Sequence, residues 1–262
     1  MKGITFEGYF ELMERTVENE FIFGMRPVIE ALKAGTEVEK ILLQNSVRSP
    51  QTHELTSLAR HLGIPVQMVP LEKLNRLTKR NHQGVLAYTA QITYQKLASL
   101  LPMIFEAGME PFMLILDKLT DVRNIGAIAR TAEASGAHAI VLPSRGSALI
   151  NADAVKTSTG ALHRINVCRE DNLKTAITFL KESGLKVAAI TEKAAVNYWE
   201  ADLSGPVALI LGSEDVGISE EYLKLADVRV KMPMLGEIQS LNVSVAAGVA
   251  CYEIVRQRQI KE

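Results

Sequence analysis

Short, uninterrupted apolar runs in the second half of the chain constrain the fold more than any other feature. Residues 111–117, PFMLILD, and 206–212, PVALILG, carry no polar side chain before the last position. A strand with one solvated face alternates apolar and polar residues, whereas a strand buried on both faces does not. Helical segments such as 124–136, NIGAIARTAEASG, separate these runs. The sequence therefore predicts an α/β fold with a mostly parallel sheet covered on both faces.

The first half of the chain predicts a second, smaller α/β unit. Three strand-like segments alternate with two helical ones, at 38–43, 51–62, 64–70, 71–80 and 82–92. We therefore divide the chain into an acidic N-terminal extension, a small α/β domain, a linker and a larger α/β domain, at 1–20, 21–95, 96–109 and 110–262.

Charge is distributed unevenly, although the net charge is only −1. Residues 1–20 carry 2 basic and 5 acidic side chains, and residues 21–95 carry 9 basic and 5 acidic ones. A basic module beside a nearly neutral one favours a polyanionic partner. A solvated face without a partner is the alternative.

Several classes of protein are excluded. No apolar run is long enough to span a membrane, and the N-terminus lacks the apolar core of a secretory signal. We therefore expect a cytoplasmic protein. Cys168 and Cys251 lie far apart in apolar segments, so we expect two buried free thiols, and no spacing of Cys, His, Asp and Glu suggests a metal site.

Three predicted strands of the larger domain end in polar loops that contain glycine and lead into helices. They are 117–126, from Asp117 to Gly126, then 212–217, and finally 235–242. In open α/β sheets, ligands bind beyond the carboxyl ends of the strands. The glycine fingerprints of dinucleotide-binding and P-loop proteins, and the nucleophile elbow of hydrolases, are absent. The pocket must therefore be of another design.

The three loop regions resemble, in order and spacing, the signature motifs of the SpoU family. These are NIGAIARTAEASGA, ALILGSEDVGIS and MPMLGEIQSLNVSVAAGVACYEIVRQR. SpoU proteins are RNA ribose 2′-O-methyltransferases of the SPOUT class that use S-adenosyl-L-methionine. The resemblance implies a deep C-terminal trefoil knot and a homodimer formed through it. It would also explain the small residues Ala246, Ala247 and Gly248, which let the last helix approach other backbone closely.

The resemblance also assigns roles to residues. Cofactor binding is expected at Leu211, Gly212, Ile218, Met232, Ser240 and Leu241. Arg130, the arginine of the first motif, is expected to contact the phosphate of the substrate nucleotide, with general-base action as a second role. Glu214, Asn242 and Asn124 complete the expected catalytic set.

Structural alternatives exist for each of these residues. The cofactor positions could simply pack strand ends, and Arg130 could be a solvated helix residue. Glu214 could cap a loop, and Asn242 could be the N-cap of the last helix. For Asn124, loop stabilisation and RNA contact are equally compatible with the sequence.

The small domain resembles the ribosomal-protein-like RNA-binding domain of members that act on ribosomal RNA. Candidate phosphate contacts are Arg26, Lys73, Arg76, Lys79, Arg80 and His82. At position 26, many members of the family carry His. Because aromatic residues make up only 5% of the chain, we expect no broad stacking platform.

The closest resemblance is to the methyltransferases that modify a guanosine ribose of 23S ribosomal RNA. A transfer RNA methyltransferase is one alternative, against which the extra domain argues. A non-catalytic RNA-binding protein of ribosome assembly is the other, against which the retained Arg130, Glu214 and Asn242 argue.

Overall fold

The computed structural model describes residues 21–261, which form two compact units divided between Gln91 and Ile92. The predicted acidic extension, residues 1–20, lies outside the described residues. No helix in the described part of the chain combines the length and the apolar content needed to cross a bilayer.

The first unit contains a four-stranded sheet. Its elements are β1 (Phe21–Phe23), α1 (Met25–Lys33), β2 (Val38–Gln44), α2 (Pro50–His61), β3 (Val66–Val69), α3 (Leu71–Leu77) and β4 (Val85–Thr89). The strand order is β1-β4-β2-β3, with β2 and β3 parallel and the other two pairs antiparallel. Helices α1 and α2 cover one face, and α3 packs on the other through Leu74.

The second unit contains an eight-stranded sheet. Its first elements are β5 (Tyr94–Gln95), α4 (Leu97–Glu106), β6 (Phe112–Asp117), α5 (Val122–Ala134), β7 (Ala139–Pro143), α6 (Ala152–Thr157), a 3₁₀ turn (Ala161–His163) and β8 (Asn166–Glu170). The remaining elements are α7 (Leu173–Glu182), β9 (Lys186–Ile190), β10 (Val196–Asn197), β11 (Val207–Gly212), α8 (Glu220–Leu223), β12 (Val228–Lys231) and α9 (Val243–Lys261). The strand order is β10-β12-β9-β11-β6-β7-β8-β5, and every paired neighbour is parallel.

Both faces of the large sheet are buried, which confirms the predicted fold class. Along β6, Leu114 and Leu116 belong to one core, beneath α5, α6 and α9. Met113 and Ile115 belong to the other core, beneath α4, α7 and α8. The fully apolar runs arise because successive side chains of one strand enter two different cores.

The predicted linker, residues 96–109, contains α4, and β5 joins the large sheet by pairing with β8. The second compact unit starts at Ile92, whereas the sequence-based division ends the small domain at residue 95. At Gly248, a Cβ atom would lie 3.7 Å from the Thr131 side chain, an ordinary contact. Packing within the chain therefore does not require glycine there. The C-terminal knot stays a prediction.

Candidate active site

A cavity of about 310 Å³ opens at the carboxyl ends of β9 and β11, beside the loop that leads into α9. It lies where the parallel strands of the large sheet expose their carboxyl ends, the place at which α/β proteins bind ligands. Its apolar wall includes Leu211, Met232, Val243 and Ala246. Its volume is at the lower end of the range for small-molecule sites.

Gly212, the last residue of β11, lets the next loop fold back onto the strand. A Cβ atom there would lie 2.1 Å from the carbonyl carbon of Gly217 and 2.3 Å from the nitrogen of Ile218. The loop is closed by the Gly217 amide, which donates to the Ser213 carbonyl at 2.8 Å. Only glycine fits at position 212, and the tight loop that results directs Glu214 toward the start of α9.

Asn124, Glu214 and Asn242 meet through their side chains. Nδ2 of Asn242 donates to Oε1 of Glu214 at 2.5 Å and to Oδ1 of Asn124 at 3.1 Å. Nδ2 of Asn124 donates to the same Glu214 oxygen at 3.1 Å. The three predicted loop regions therefore converge, each contributing one member of a hydrogen-bonded triangle.

Asn242 also caps α9. Its Oδ1 accepts from the Ser244 backbone amide at 2.9 Å, while its carbonyl accepts from the Ala246 amide at 3.0 Å. Asn242 can therefore be both the N-cap and a site residue, because its Oδ1 caps the helix while its Nδ2 donates a hydrogen bond to Glu214. The position of the site is coupled to the start of the last helix.

Most residues expected to bind the cofactor line this cavity. They are Leu211, Gly212, Met232, Ser240 and Leu241, and Glu214 lines it as well. Ile218 does not line the cavity and is 7% exposed within the core beneath α7 and α8. This position fits the packing alternative rather than direct contact with a ligand.

The end of β9 also lines the cavity and is not among the three predicted loop regions. Ile190, Thr191, Glu192 and Lys193, at and after the end of β9, also line it. The apolar run LKVAAIT predicts a strand here, but no glycine follows it. Applying the strand-end rule to every parallel strand would have found this segment.

The residues present fit S-adenosylmethionine. The adenosine and the aliphatic chain of that molecule need apolar walls, which Leu211, Met232 and Leu241 provide. Its amino, carboxylate and sulfonium groups need charged or polar partners, and Glu192, Lys193 and Asp215 lie on the exposed part of the lining.

Arg130 lies apart from the cavity. It is exposed on α5, six residues after Asn124 and thus about 120° around the helix, and it is not a lining residue. Gly126, between the two, packs against α6, since a Cβ atom there would lie 2.5 Å from the Ala154 carbonyl oxygen. The exposed guanidinium is suited to an external anion.

In the first unit, five of the six candidate phosphate contacts are exposed: Arg26, Lys73, Arg76, Lys79 and Arg80. His82 is different, since it is only 7% exposed. Its Nε2 lies 2.9 Å from Asn75 Oδ1, and its Nδ1 accepts from the Gly84 amide at 3.1 Å. His82 therefore fixes the loop between α3 and β4, and a phosphate contact at this residue is not compatible with its burial.

Comparison with known proteins gives two family matches. Residues 111–252 match the SpoU rRNA Methylase family, and residues 21–95 match the RNA 2′-O ribose methyltransferase substrate binding family. Among curated relatives, YacO of Bacillus subtilis (strain 168), named in the TrmH family of tRNA/rRNA methyltransferases, is 37% identical over 241 residues, 92% of this chain and 97% of YacO.

Solved structures show the same similarity. An AdoMet-bound rRNA methyltransferase from Sinorhizobium meliloti is 27% identical with a TM-score of 0.58, over 90% of this chain and 87% of that protein. The A. aeolicus TrmH/SpoU tRNA modifying enzyme is 30% identical with a TM-score of 0.53, over 63% of this chain and 85% of that protein.

Proposed function

The chain belongs to the SpoU rRNA methylase family, and we propose that its substrate is ribosomal RNA, at a guanosine ribose of the 23S molecule. It is an RNA 2′-O-ribose methyltransferase, and S-adenosylmethionine supplies the methyl group as a good electrophile. The observation that carries the proposed site of methyl transfer is the triangle of Asn124, Glu214 and Asn242, of which Glu214 lines the cavity.

The chain's own task in this reaction is to align a ribose hydroxyl and to help remove its proton. In-line transfer needs reacting atoms about 3–3.5 Å apart, so rigid positioning contributes much of the rate. The triangle provides that rigidity, because one carboxylate oxygen of Glu214 holds both asparagine side chains. The second carboxylate oxygen is the group available to the hydroxyl proton.

Arg130 contacts the phosphate of the substrate nucleotide in this proposal. Its guanidinium is exposed and outside the cavity lining, so it meets the RNA rather than the cofactor. An arginine stays protonated in proteins, which favours a phosphate contact over action as a literal base.

Ribosomal rather than transfer RNA is supported by the extent of the similarities. The substrate-binding family matches residues 21–95, which include all of the described first unit. The ribosomal RNA enzyme covers 90% of this chain, whereas the transfer RNA enzyme covers 63%.

A homodimer through the region of α9 is part of the proposal. Large apolar side chains are exposed on the loop before α9 and on the helix itself: Leu235, Ile238, Val245 and Tyr252. A second copy would remove this surface from water. Sedimentation should give twice the chain mass, and Val245→Asp should shift the protein toward the monomer.

The substrate is tested by methyl transfer from labelled S-adenosylmethionine to 23S, 16S and transfer RNA, followed by mapping of the modified ribose. We expect transfer to one guanosine of 23S RNA. Arg130→Ala should lower it by about 10²–10³-fold with cofactor affinity unchanged, the magnitude typical of lost transition-state contacts. Arg164→Ala, a surface arginine 3.8 Å from Glu133, is the matched control. Transfer to transfer RNA alone would contradict the ribosomal assignment.

A further inference from the structure

Aromatic side chains line one face of the small sheet. The register pairs Phe21 of β1 with Tyr88 of β4, and Tyr88 with Lys40 of β2, so these three form one cross-strand row. Phe23 stands two residues along β1, on the same face as Phe21. The Phe21 and Tyr88 ring centroids are 4.8 Å apart in an edge-to-face arrangement.

Helix α3 covers only part of this face. In the neighbouring row, Leu42 and Leu86 are fully buried with Leu74 of α3. Phe21, Phe23 and Tyr88 retain partial exposure. The face therefore carries a shallow aromatic strip beside the helix.

Three cations accompany the aromatic strip. The Lys40 ammonium lies 4.9 Å from the centre of the Tyr88 ring, and the Arg80 guanidinium lies 5.7 Å from the centre of the Phe23 ring. Burial, and after it the charge of Lys73, lowers the pKa of Lys40. The ammonium groups of Lys40 and Lys73 repel each other, and Lys40 is half-buried, so a bound anion beside them would be favourable.

We propose that this surface, the aromatic–basic face, binds an unpaired segment of the RNA substrate. It is defined by Phe21, Phe23, Lys40, Lys73, Arg80 and Tyr88. A nucleobase stacks on the phenylalanine rings, and the cations contact the flanking phosphates. Single-stranded RNA fits because its bases can leave the stack and meet a protein ring, whereas the bases of a duplex cannot. The inference rests on the proposed function for the identity of the polyanion as RNA.

The experiment measures binding of a fluorescein-labelled single-stranded 12-nucleotide RNA, and of its blunt duplex, to the full chain by fluorescence anisotropy. Phe21→Leu and Tyr88→Leu keep apolar packing and remove the ring. Each should weaken binding of the single strand about ten-fold, within the range that base–aromatic stacking contributes. Binding of the duplex should change less than three-fold.

Control variants distinguish a loss of the aromatic–basic face from the general effect of removing a ring or a cation elsewhere. Phe105→Leu removes a ring that is 40% exposed in the second unit, and Lys33→Gln removes a cation from α1 on the opposite side of the small sheet. Both should bind the single strand within two-fold of the unaltered protein. The logarithm of the association constant falls linearly with the logarithm of the salt concentration. Lys40→Gln should reduce the magnitude of this slope by about 0.7, the value for one phosphate contact on a single strand.

Two outcomes would overturn the inference: leucine variants that bind the single strand like the controls, or an equal loss for strand and duplex. If circular dichroism shows that both leucine variants unfold, an unchanged salt slope in Lys40→Gln and Lys73→Gln overturns it instead. Methyl transfer by the unaltered chain is measured separately. Transfer to 23S RNA with an unchanged KM in folded leucine variants refutes the face alone, while face-dependent binding without transfer refutes the proposed function alone.

Discussion

At the scale of single residues, Glu214 holds the site together through one oxygen. Oε1 accepts from both asparagine side chains and, at 3.4 Å, from the Val243 amide at the start of α9. A negative charge at a helix N-terminus is also favourable. Glu214 therefore positions Asn242 whatever part it takes in proton transfer.

Replacing Glu214 separates positioning from charge. Glu214→Ala leaves two asparagine donors without their acceptor and should lower the free energy of unfolding by about 1.5–3 kcal/mol, the range for hydrogen bonds to charged groups. Glu214→Gln keeps one acceptor oxygen and should lose less than 1 kcal/mol, yet reduce methyl transfer at least about ten-fold. Urea unfolding and single-turnover rates measure the two effects. Equal stability losses in both variants would contradict the positioning role.

The two cysteines make a prediction about pH. Both are buried and unpaired, as predicted, and burial raises the pKa of each thiol to about 12. The pKa of a cysteine in an unfolded chain is about 8.5. Below that pH both states hold the proton and the stabilisation is complete. Above the unfolded pKa, the unfolded chain releases the proton while the folded chain keeps it. For each thiol, the free energy of unfolding should therefore fall by about 1.4 kcal/mol per pH unit until the pH reaches the folded pKa of about 12.

The measurement compares urea unfolding at pH 7.5, 9 and 10 for the unaltered chain and for the Cys168→Ala, Cys251→Ala double variant. The free energy of unfolding should fall more steeply with pH in the unaltered chain. Parallel pH profiles would show that the thiols titrate normally in the folded protein.

At the scale of elements, the loop after β11 depends on Gly212. Gly212→Ala places a methyl group 2.1 Å from the Gly217 carbonyl carbon, so the loop, which lines the cavity, must move. We expect a loss of about 3 kcal/mol in stability, as for an overpacked core, and cofactor binding weakened beyond detection. Calorimetry of both properties tests this. Gly205→Ala, with open space around its Cβ position, is the control and should change neither.

The element boundaries show what the sequence could predict. The paired apolar runs located β6 and β11 closely, because burial on both faces leaves no polar position. The predicted helix at 71–80 instead ends at Leu77, since Thr78 is extended. Strands β5 and β10 are two residues long, too short for any periodicity, and exist only because a neighbour pairs with them.

Helix α9 yields a test at position 248. Glycine inside a helix costs about 1 kcal/mol relative to alanine, and the chain itself leaves room for a Cβ atom. Gly248→Ala should therefore raise the free energy of unfolding of the monomeric chain by about 1 kcal/mol. Thermal unfolding at low and high protein concentration measures it. A loss confined to high concentration would place a second copy against this helix.

At the scale of the whole molecule, the sequence located the site but not all of its surroundings. Strand ends and loop glycines predicted three loop regions at one edge of the sheet, because parallel strands place their carboxyl ends there. The SpoU resemblance singled out Asn124, Glu214 and Asn242 within those loops. Tertiary packing decides which residues of the basic module are exposed. His82 is therefore buried although it adjoins exposed Lys79 and Arg80, and the aromatic strip was hidden by a low overall aromatic content.

The two units have separate cores, which makes a fragment informative. Every buried member of the two clusters of the first unit lies before residue 92, and every buried member of the other two lies at or after it. Residues 92–262 alone should therefore fold and bind S-adenosylmethionine within about three-fold of the full chain, because the whole cavity lining belongs to this unit. Its KM for ribosomal RNA should rise at least about 100-fold, through lost phosphate contacts. Isothermal titration and steady-state methylation measure the two constants. A fragment that methylates 23S RNA with an unchanged KM would show that the first unit does not bind the substrate.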